Sequence, residues 1–412
     1  MKILFLFQIF DHKKSTIYLD LVRECRDRGH EVFLIAGNTD MSLPDGICDV
    51  DGMKTVYMKL PDQFGVNPVK KALIQMSIPR RMKQILKTEL KDQVFDIIAY
   101  PTPPITLAPV LGYIKKHRKD GVNYLMLKDI FPQNAVDLKM FSERSPIYRY
   151  YRRMEEKLYE YSDRIGCMSE ANMAYLKEHN PKIPEGKIEY FPNTVKVHDI
   201  GGKKRGQSTG NTPEATGESI PDNGHDRTLS IVFGGNMGRP QDIEGLLGSI
   251  KCCGEDPLLK NVHFSFIGDG SESRKIEAFI REEAPENLTY SHALDREAYE
   301  TLLQDADLGM ISLGADFTIP NFPSRLLSYM QIAKPVFAVV DEATDIDTVI
   351  TEKACCGYAC KAGDAKSFMA VLGRILEERD SLEELGLRGR KYLEEHFNTG
   401  ISVDILEKAC TR

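Results

Sequence analysis

The sequence lacks any apolar run long enough to cross a membrane. A transmembrane helix needs about 20 consecutive, mostly apolar residues, and no segment approaches that length. The apolar run within residues 1–10 is short, and it has one leading Lys and no small-residue cleavage site. This is not the pattern of a signal peptide. We therefore expect a cytoplasmic protein that neither spans a membrane nor is exported by this route.

The sequence also lacks a C-x-x-C pair, although it has nine cysteines. An odd number of scattered thiols fits a reducing compartment better than a disulfide framework. Cys355, Cys356 and Cys360 lie in a short Gly-containing stretch with no His beside them. We interpret these three as small buried apolar side chains rather than metal ligands, and expect no metal site.

An excess of positive charge is missing as well. The formal net charge of −7 excludes a general nucleic-acid binder. The fractions of hydrophobic residues, 42%, and of charged residues, 28%, are typical of a globular protein. One local exception is the segment 69–87, where Lys and Arg alternate with apolar residues. Such a helical face can lie on anionic lipid. A solvated helix whose Lys stems cover the core explains the same pattern.

What the chain does contain is a repeated alternation of strand and helix patterns. Residues 2–7 and 31–36 are typical of buried strands, and a helical spacing over 17–28 ends at Gly29. Strand, helix and strand with short connections predict a right-handed βαβ unit and a parallel sheet. A second series of the same kind starts at residue 229. The fold class is therefore α/β, with two doubly wound Rossmann-like domains and an implied cleft between them.

The domain boundaries follow from a change in composition. Residues 196–228 are rich in Gly, Ser, Thr, Pro and charge and have little to bury, which predicts a flexible linker or insertion. The N-terminal domain then covers 1–195 and the C-terminal domain 229–395. A last helix in 396–412 is a candidate for crossing back to the first domain.

Turns that follow strands are the candidate binding sites, because ligands of open α/β sheets lie at the carboxyl ends of the strands. Three turns in the second half are built from glycines or from a helix start: Gly235, Asn236, Gly238 and Arg239; Gly268, Asp269 and Gly270; and Pro323, Ser324 and Arg325. Bare backbone N–H groups and a guanidinium suit a phosphate. Pro323 is expected as the first helical residue, with free N–H groups around it.

Each turn alone also fits an ordinary Gly-rich loop or a capped helix. None has the G-x-G-x-x-G spacing of dinucleotide-binding proteins, which disfavours an oxidoreductase, and no P-loop or kinase lysine motif occurs. Together, the three turns predict a diphosphate that is held in place rather than a γ-phosphate that is cut.

Short motifs along nearly the whole chain resemble one family. They are RGHEV at 28–32, YPTPP at 100–104, DIFP at 129–132, MS at 168–169, FPN at 191–193, GNMG at 235–238, IGDG at 267–270, PSRLLSYM at 323–330 and AKPV at 333–336. In this order they resemble the GT-B-fold glycosyltransferases of family 4, in the branch of bacterial polysaccharide enzymes that use UDP-sugars.

The resemblance implies the following expectations. The nucleotide of a UDP-sugar binds to the C-terminal domain, and the sugar passes with retention of configuration to a glycan acceptor in surface polysaccharide synthesis. No metal or other cofactor takes part. A lipid-linked acceptor would suit a peripheral position on the inner face of the cell membrane, held through 69–87.

The sequence departs from the family at two places. The family often places two Glu residues eight positions apart at the donor helix, and here these positions hold Pro320 and Ser328. Ser328 is the remaining candidate for the ribose. The Gly-rich loop after the first strand is replaced by residues 10–15. Pro320 and Ser328 leave open a non-catalytic glycosyltransferase-like subunit. A nucleotide-sugar epimerase of GT-B fold is a second alternative, because it can share the two-domain architecture.

The residue types assign the chemistry. A departing nucleoside diphosphate needs positive charge, for which we select Arg239, Arg325 and the helix start at Ser324. Asp129 follows a strand of the first domain and is the candidate base or hydroxyl orienter. An ordinary helix N-cap explains Asp129 equally simply. His12, a lone loop histidine, is a weaker candidate.

Overall fold

The computed structural model of the chain describes residues 1–14, 16–61, 68–199 and 228–411, and the side chains of 68–73, 296 and 297 are not described. The chain forms two compact units. The first comprises Met1–Lys196 with Phe397–Arg412, and the second comprises Val197–His396. Most of the predicted linker 196–228 lies outside the described residues.

The first unit contains an eight-stranded sheet with the order β3-β4-β2-β1-β5-β6-β7-β8. Every pair is parallel except β3 with β4. The strands are β1 (Lys2–Phe7), β2 (Glu31–Asn38), β3 (Ile47–Val50), β4 (Met53–Lys59), β5 (Ile97–Pro101), β6 (Val122–Leu127), β7 (Arg164–Cys167) and β8 (Ile188–Tyr190).

Helices connect these strands, as the βαβ pattern predicts. They are α1 (Ile17–Asp27), α2 (Pro68–Lys87), α3 (Ala108–His117), α4 (Gln133–Asp137), α5 (Pro146–Tyr161) and α6 (Glu170–His179), and α14 (Thr399–Thr411) from the end of the chain. Hydroxyl side chains cap three of them: Thr16 caps α1, Ser145 caps α5 and Ser169 caps α6 by accepting a backbone N–H. Helix α14 belongs to the core of this unit, because Val403 and Leu406 pack with the apolar side chains of β1 and β2.

The second unit contains a six-stranded, fully parallel sheet with the order β11-β10-β9-β12-β13-β14. The strands are β9 (Leu229–Gly234), β10 (Val262–Ile267), β11 (Leu288–Ser291), β12 (Leu308–Ser312), β13 (Val336–Val340) and β14 (Gly357–Lys361). Strand β9 lies beside both β10 and β12, so the strand order changes direction there. This change of direction marks the carboxyl end of β9 as the expected ligand position.

The helices of the second unit are α7 (Ile243–Glu255), α8 (Ser273–Glu283), α9 (Arg296–Asp305), α10 (Arg325–Gln331), α11 (Ile346–Thr348), α12 (Ala365–Glu377) and α13 (Leu382–His396). Asp242, Asp295 and Asp364 cap α7, α9 and α12 through their carboxylates. Helix α10 begins at Arg325 and not at Pro323 as the sequence predicts. The reason is that the Leu326 and Leu327 N–H groups donate to the carbonyls three residues back, Pro323 and Ser324, which is the pattern of a tighter turn before the helix. Among the described residues, no helix is both long and apolar enough to cross a bilayer.

Candidate functional site

The first two Gly-rich turns, after β9 and β10, are joined by backbone hydrogen bonds. Gly235 N–H donates to the Ile267 carbonyl at 2.8 Å, and Met237 N–H donates to the Asp269 carbonyl at 3.0 Å. A Cβ atom on Gly268, whose φ is +148°, would lie 1.8 Å from the Gly235 carbonyl oxygen. Glycine is therefore required here for the two turns to approach each other.

The third segment reaches the first turn through Arg325. Its guanidinium lies over the Phe233 ring at 4.5 Å, and Nη2 donates to the Asn236 carbonyl at 3.5 Å. No carboxylate among the described residues pairs with this half-buried guanidinium. The three predicted turns thus converge at the carboxyl end of β9. The Arg325 guanidinium places an unneutralised positive charge beside the Gly235–Asn236 backbone.

Arg239 has a different environment. It begins a 3-10 turn after Gly238, its side chain is 60% exposed, and its Nε lies 3.9 Å from Glu272. Glu272 also forms an ion pair with Lys275 at 2.9 Å, and this pair holds the pKa of the Glu272 carboxyl below its usual value. The charge of Arg239 is therefore partly compensated. As an exposed side chain it remains able to reorient toward an anion.

Two residues that the sequence did not single out fix the predicted ones. The Gln241 Oε1 accepts from Gly238 N–H at 3.0 Å and from Asn236 Nδ2 at 3.4 Å. The Asp269 carboxylate pairs with His292 at 2.6 Å and accepts Ala293 N–H at 3.0 Å, which together lower the Asp269 pKa. Gln241 lies three residues after Gly238 on the same 3-10 turn, whereas His292 is brought to Asp269 by the tertiary structure. The direction of neither side chain can be read from the sequence pattern.

Ser324 and Ser328, the remaining candidates on this unit, are exposed. Ser324 does not cap α10 with its side chain, and the first turn is closed by Leu326 and Leu327 N–H groups that donate to the Pro323 and Ser324 carbonyls. Pro320, at the position of the missing first Glu, is buried. The hydroxyls of both serines are therefore accessible to a ligand, while Pro320 is not.

Asp129 lies in the first unit, two residues after the end of β6. Both of its carboxylate oxygens accept from Asn134 Nδ2 at 2.7 Å. Loss of solvation raises the pKa of Asp129 to about 6, and the hydrogen bonds from Asn134 and from the Ile130 backbone oppose this rise. A carboxylate whose pKa lies close to neutral pH suits an acceptor of hydroxyl protons.

The backbone around Asp129 is fixed by Thr102 at the end of β5. The Thr102 hydroxyl donates to the Asp129 carbonyl at 3.1 Å and accepts Lys128 N–H at 3.0 Å. Lys128 donates from Nζ to the Phe191 and Pro192 carbonyls at 3.3 Å each, and burial lowers its pKa to about 7. A charged residue directly after a buried strand is the sequence signal by which Lys128 could have been found.

His12 contacts other parts of the first unit. Its ring packs edge-on against Phe10 and Tyr57, and its Nε2 lies 3.4 Å from the Thr55 hydroxyl. Burial lowers the His12 pKa below its ordinary value, which keeps the ring neutral at pH 7. These contacts are those of a packed aromatic side chain.

In the described part of the chain, no three His, Cys, Asp or Glu side chains are grouped closely enough to hold a metal ion. Cys356 and Cys360 are free and buried, and burial raises the pKa of each thiol to about 12. Such thiols are inert at neutral pH.

Comparisons with known proteins bear on the family and the fold of the chain. The family model described as Glycosyltransferase Family 4 matches residues 15–199. The probable glycosyltransferase WbjE of Pseudomonas aeruginosa is 26% identical over 293 residues, which are 70% of this chain and 67% of that protein. The resemblance to family 4 glycosyltransferases that the sequence indicates is confirmed.

Two solved structures cover nearly the whole chain. Sucrose-phosphate synthase from Thermosynechococcus elongatus superimposes with a TM-score of 0.73 at 17% identity, covering 98% of this chain and 97% of that one. HepE of Anabaena, solved in complex with UDP, gives a TM-score of 0.65 at 14% identity and covers 100% of both chains. At these identities the likeness concerns the fold, and the prediction of a GT-B fold with two Rossmann-like domains is confirmed.

Proposed function

We propose that this chain, which is a glycosyltransferase, transfers a sugar from a UDP-sugar to a glycan acceptor with retention of the anomeric configuration. The observation that carries the donor assignment is the unneutralised guanidinium of Arg325 above the joined Gly-rich turns. A nucleoside diphosphate supplies the negative charge that this position lacks. HepE, which shares the fold, was solved in complex with UDP and UDP is therefore the first nucleotide to test.

The proposed chemistry assigns the diphosphate, the ribose and the acceptor hydroxyl to separate residues. As the bond between the sugar and UDP breaks, its electron pair stays on the diphosphate, where Arg325 and Arg239 stabilise the growing charge. Backbone N–H groups of the turns and the exposed Ser324 hydroxyl are further donors to the diphosphate. Ser328 is the proposed ribose ligand. Asp129 orients the acceptor hydroxyl by accepting its hydrogen bond, and takes up the proton as the hydroxyl oxygen bonds to the anomeric carbon. No metal is proposed for any step.

The donor is tested by thermal stability with UDP, GDP, ADP and CMP, each with and without EDTA. We expect a selective rise in Tm with UDP that EDTA does not change. A ligand at about 100 times its Kd stabilises the folded state by about 2.7 kcal/mol. A response to another nucleotide would replace UDP in the proposal. Loss of the UDP response in EDTA would contradict metal independence, and no response at all would contradict the donor site.

We further propose that the acceptor is lipid-linked and that the protein lies on the inner face of the membrane in surface polysaccharide synthesis. Helix α2 supports this proposal. Ile78, Met82 and Leu86 are buried, while Arg80 and Lys87 are exposed on the opposite face. The part of the segment 69–87 before residue 74 lies outside the described side chains. A helix with one buried apolar face and one basic face can dock on anionic lipid without unfolding.

Vesicle binding tests the basic face of α2. We expect the Arg80→Glu/Lys87→Glu variant to lose at least about 10-fold in affinity for vesicles containing phosphatidylglycerol, since each basic residue near such a surface contributes about 1 kcal/mol. The matched control is Arg388→Glu/Lys391→Glu, which makes the same charge change on exposed residues of α13. Equal losses in the two variants would mean that net charge, and not α2, controls binding.

A further inference from the structure

Asn134 is the hydrogen-bonding partner of the Asp129 carboxylate. Its Nδ2 lies 2.7 Å from both carboxylate oxygens, so one amide group spans the whole carboxylate. The Asn134 backbone N–H donates to the Ile130 carbonyl at 3.0 Å, which closes the loop between the two residues. The amide is therefore fixed in direction by its own backbone.

The other end of the same amide is unused. Asn134 Oδ1 is buried and has no hydrogen-bond partner among the described residues. A buried amide oxygen without a partner costs free energy, and nearly all such groups in native proteins are satisfied by protein, water or ligand. Asn134 thus offers a hydrogen-bond acceptor immediately beside the two oxygens of Asp129.

Among the residues that the structure describes, Asn134 is the side chain that donates to the Asp129 carboxylate. The neighbouring Lys128 directs its ammonium to the Phe191 and Pro192 carbonyls. From α1, Tyr18 faces the carboxylate, whose charge adds to burial in raising the Tyr18 pKa. From β5, the Thr102 hydroxyl contacts only the Lys128 and Asp129 backbone. No cation within the described ranges pairs with the carboxylate, so its ionised form depends on the Asn134 amide and the Ile130 N–H.

We propose that Asp129 and Asn134 form a two-point binding site for adjacent hydroxyls of the acceptor saccharide, in which Asn134 is a positioning residue that keeps Asp129 ionised and oriented. One hydroxyl donates to the carboxylate and its neighbour donates to Asn134 Oδ1. The pair therefore selects an acceptor with a vicinal diol and discriminates against one in which the second hydroxyl is absent. This inference rests on the proposed function, because it assigns the acceptor to the first unit.

The titration of the Asp129 carboxyl measures the positioning role directly. Protein labelled with [4-13C]aspartate is titrated by NMR from pH 4 to 9, and Asp129→Asn identifies the signal by its disappearance. We expect a midpoint near pH 6 in the unmodified protein and a midpoint at least about half a unit higher in Asn134→Ala, because a hydrogen bond to the ionised form is lost.

Gln133→Ala is the matched control, since it removes an amide from the same helix. Gln133 contacts Asp137, Glu143 and Tyr148 and does not touch Asp129. We expect its Asp129 titration to match that of the unmodified protein. An unshifted midpoint in Asn134→Ala, or an equal shift in Gln133→Ala, would overturn the positioning role.

Hydroxyl recognition is tested on the same signal with octyl β-D-glucoside below its micelle concentration and with its 2-deoxy, 3-deoxy and 4-deoxy analogues. We expect the glucoside to shift the Asp129 resonance, and the dependence of this shift on glucoside concentration gives the affinity. Removal of one of the two recognised hydroxyls should lower this affinity at least about 10-fold, and so should Asn134→Ala. Equal binding of all analogues, or no binding by any, would overturn the two-point site. Because no nucleotide is present, failure of the UDP-sugar assignment cannot produce these results.

Discussion

Replacing Arg325 by Ala is expected to lower the rate of sugar transfer by about 100-fold to 1,000-fold, the usual cost of removing one preorganised donor from a developing negative charge. The guanidinium lies on the Asn236 carbonyl and the Phe233 ring without a carboxylate partner among the described residues. Its removal therefore breaks no ion pair, and we expect the folded structure to persist. Transfer rate and Tm should be measured on the same preparation.

Two further variants separate charge from geometry at this position. Arg325→Lys keeps the charge but loses the planar donor fork and the stacking on Phe233, so we expect partial recovery of the rate. Arg388 lies on the exposed face of α13 and pairs with Glu384 one turn away, so Arg388→Ala should leave the rate unchanged. A normal rate in Arg325→Ala, with a Tm response to UDP intact, would remove Arg325 from the diphosphate site.

Most of the fold was predictable because its strands are buried on both faces. Strand β1 is a nearly continuous apolar run, and its predicted and observed bounds, residues 2–7, coincide. The edge strand β3 was missed because its side chains alternate between exposed and half-buried. Asp51 and Gly52, with φ of 53° and 75°, form the turn between β3 and β4, and this Asp-Gly pair was a hairpin signal in the sequence.

The candidate site was predictable only in part, and for a different reason. A residue that follows a buried strand must lie at the carboxyl edge of the sheet, which is why Gly235, Gly268 and Asp129 were identified without a structure. Their partners Gln241 and Asn134 lie on short helical segments several residues away. Their side-chain directions depend on how those segments pack. Local sequence pattern does not encode such contacts.

The second large effect is expected from Asp129→Asn, which should stabilise the protein at neutral pH while lowering the transfer rate by about 100-fold or more. The folded pKa of Asp129 is about 6, above the ordinary value of 3.8. Between these two values the folded state binds more protons than the unfolded state, so the stability contributed by this group falls as pH rises. Above about pH 6 the cost is constant, because the carboxyl is then ionised in both states.

The neutral amide removes this cost. The Oδ1 of an Asn side chain at position 129 can still accept from Asn134 Nδ2, which lies 2.7 Å from both carboxylate oxygens in the unmodified protein. A pKa difference of about two units corresponds to at most about 3 kcal/mol, and partial exposure reduces the expected gain to about 1–2 kcal/mol. For a domain of about 200 residues this gain raises Tm by about 2–8 °C.

Tm of both proteins should be measured from pH 4 to 8. The expected difference in Tm between the two proteins is small at pH 4, grows toward pH 6 and then stays level. This dependence on pH separates relief of a buried charge from a general improvement in packing, because better packing would raise Tm at every pH. A stabilised variant with a reduced rate would mean that the ionised carboxylate is retained for function at the expense of stability. A destabilised variant at pH 7 would instead mean that the Asp129 carboxylate is retained for its hydrogen bonds with Asn134 and the Ile130 N–H. That structural role differs from the helix N-cap that the sequence suggests, because the residue flanking α4 is Pro132.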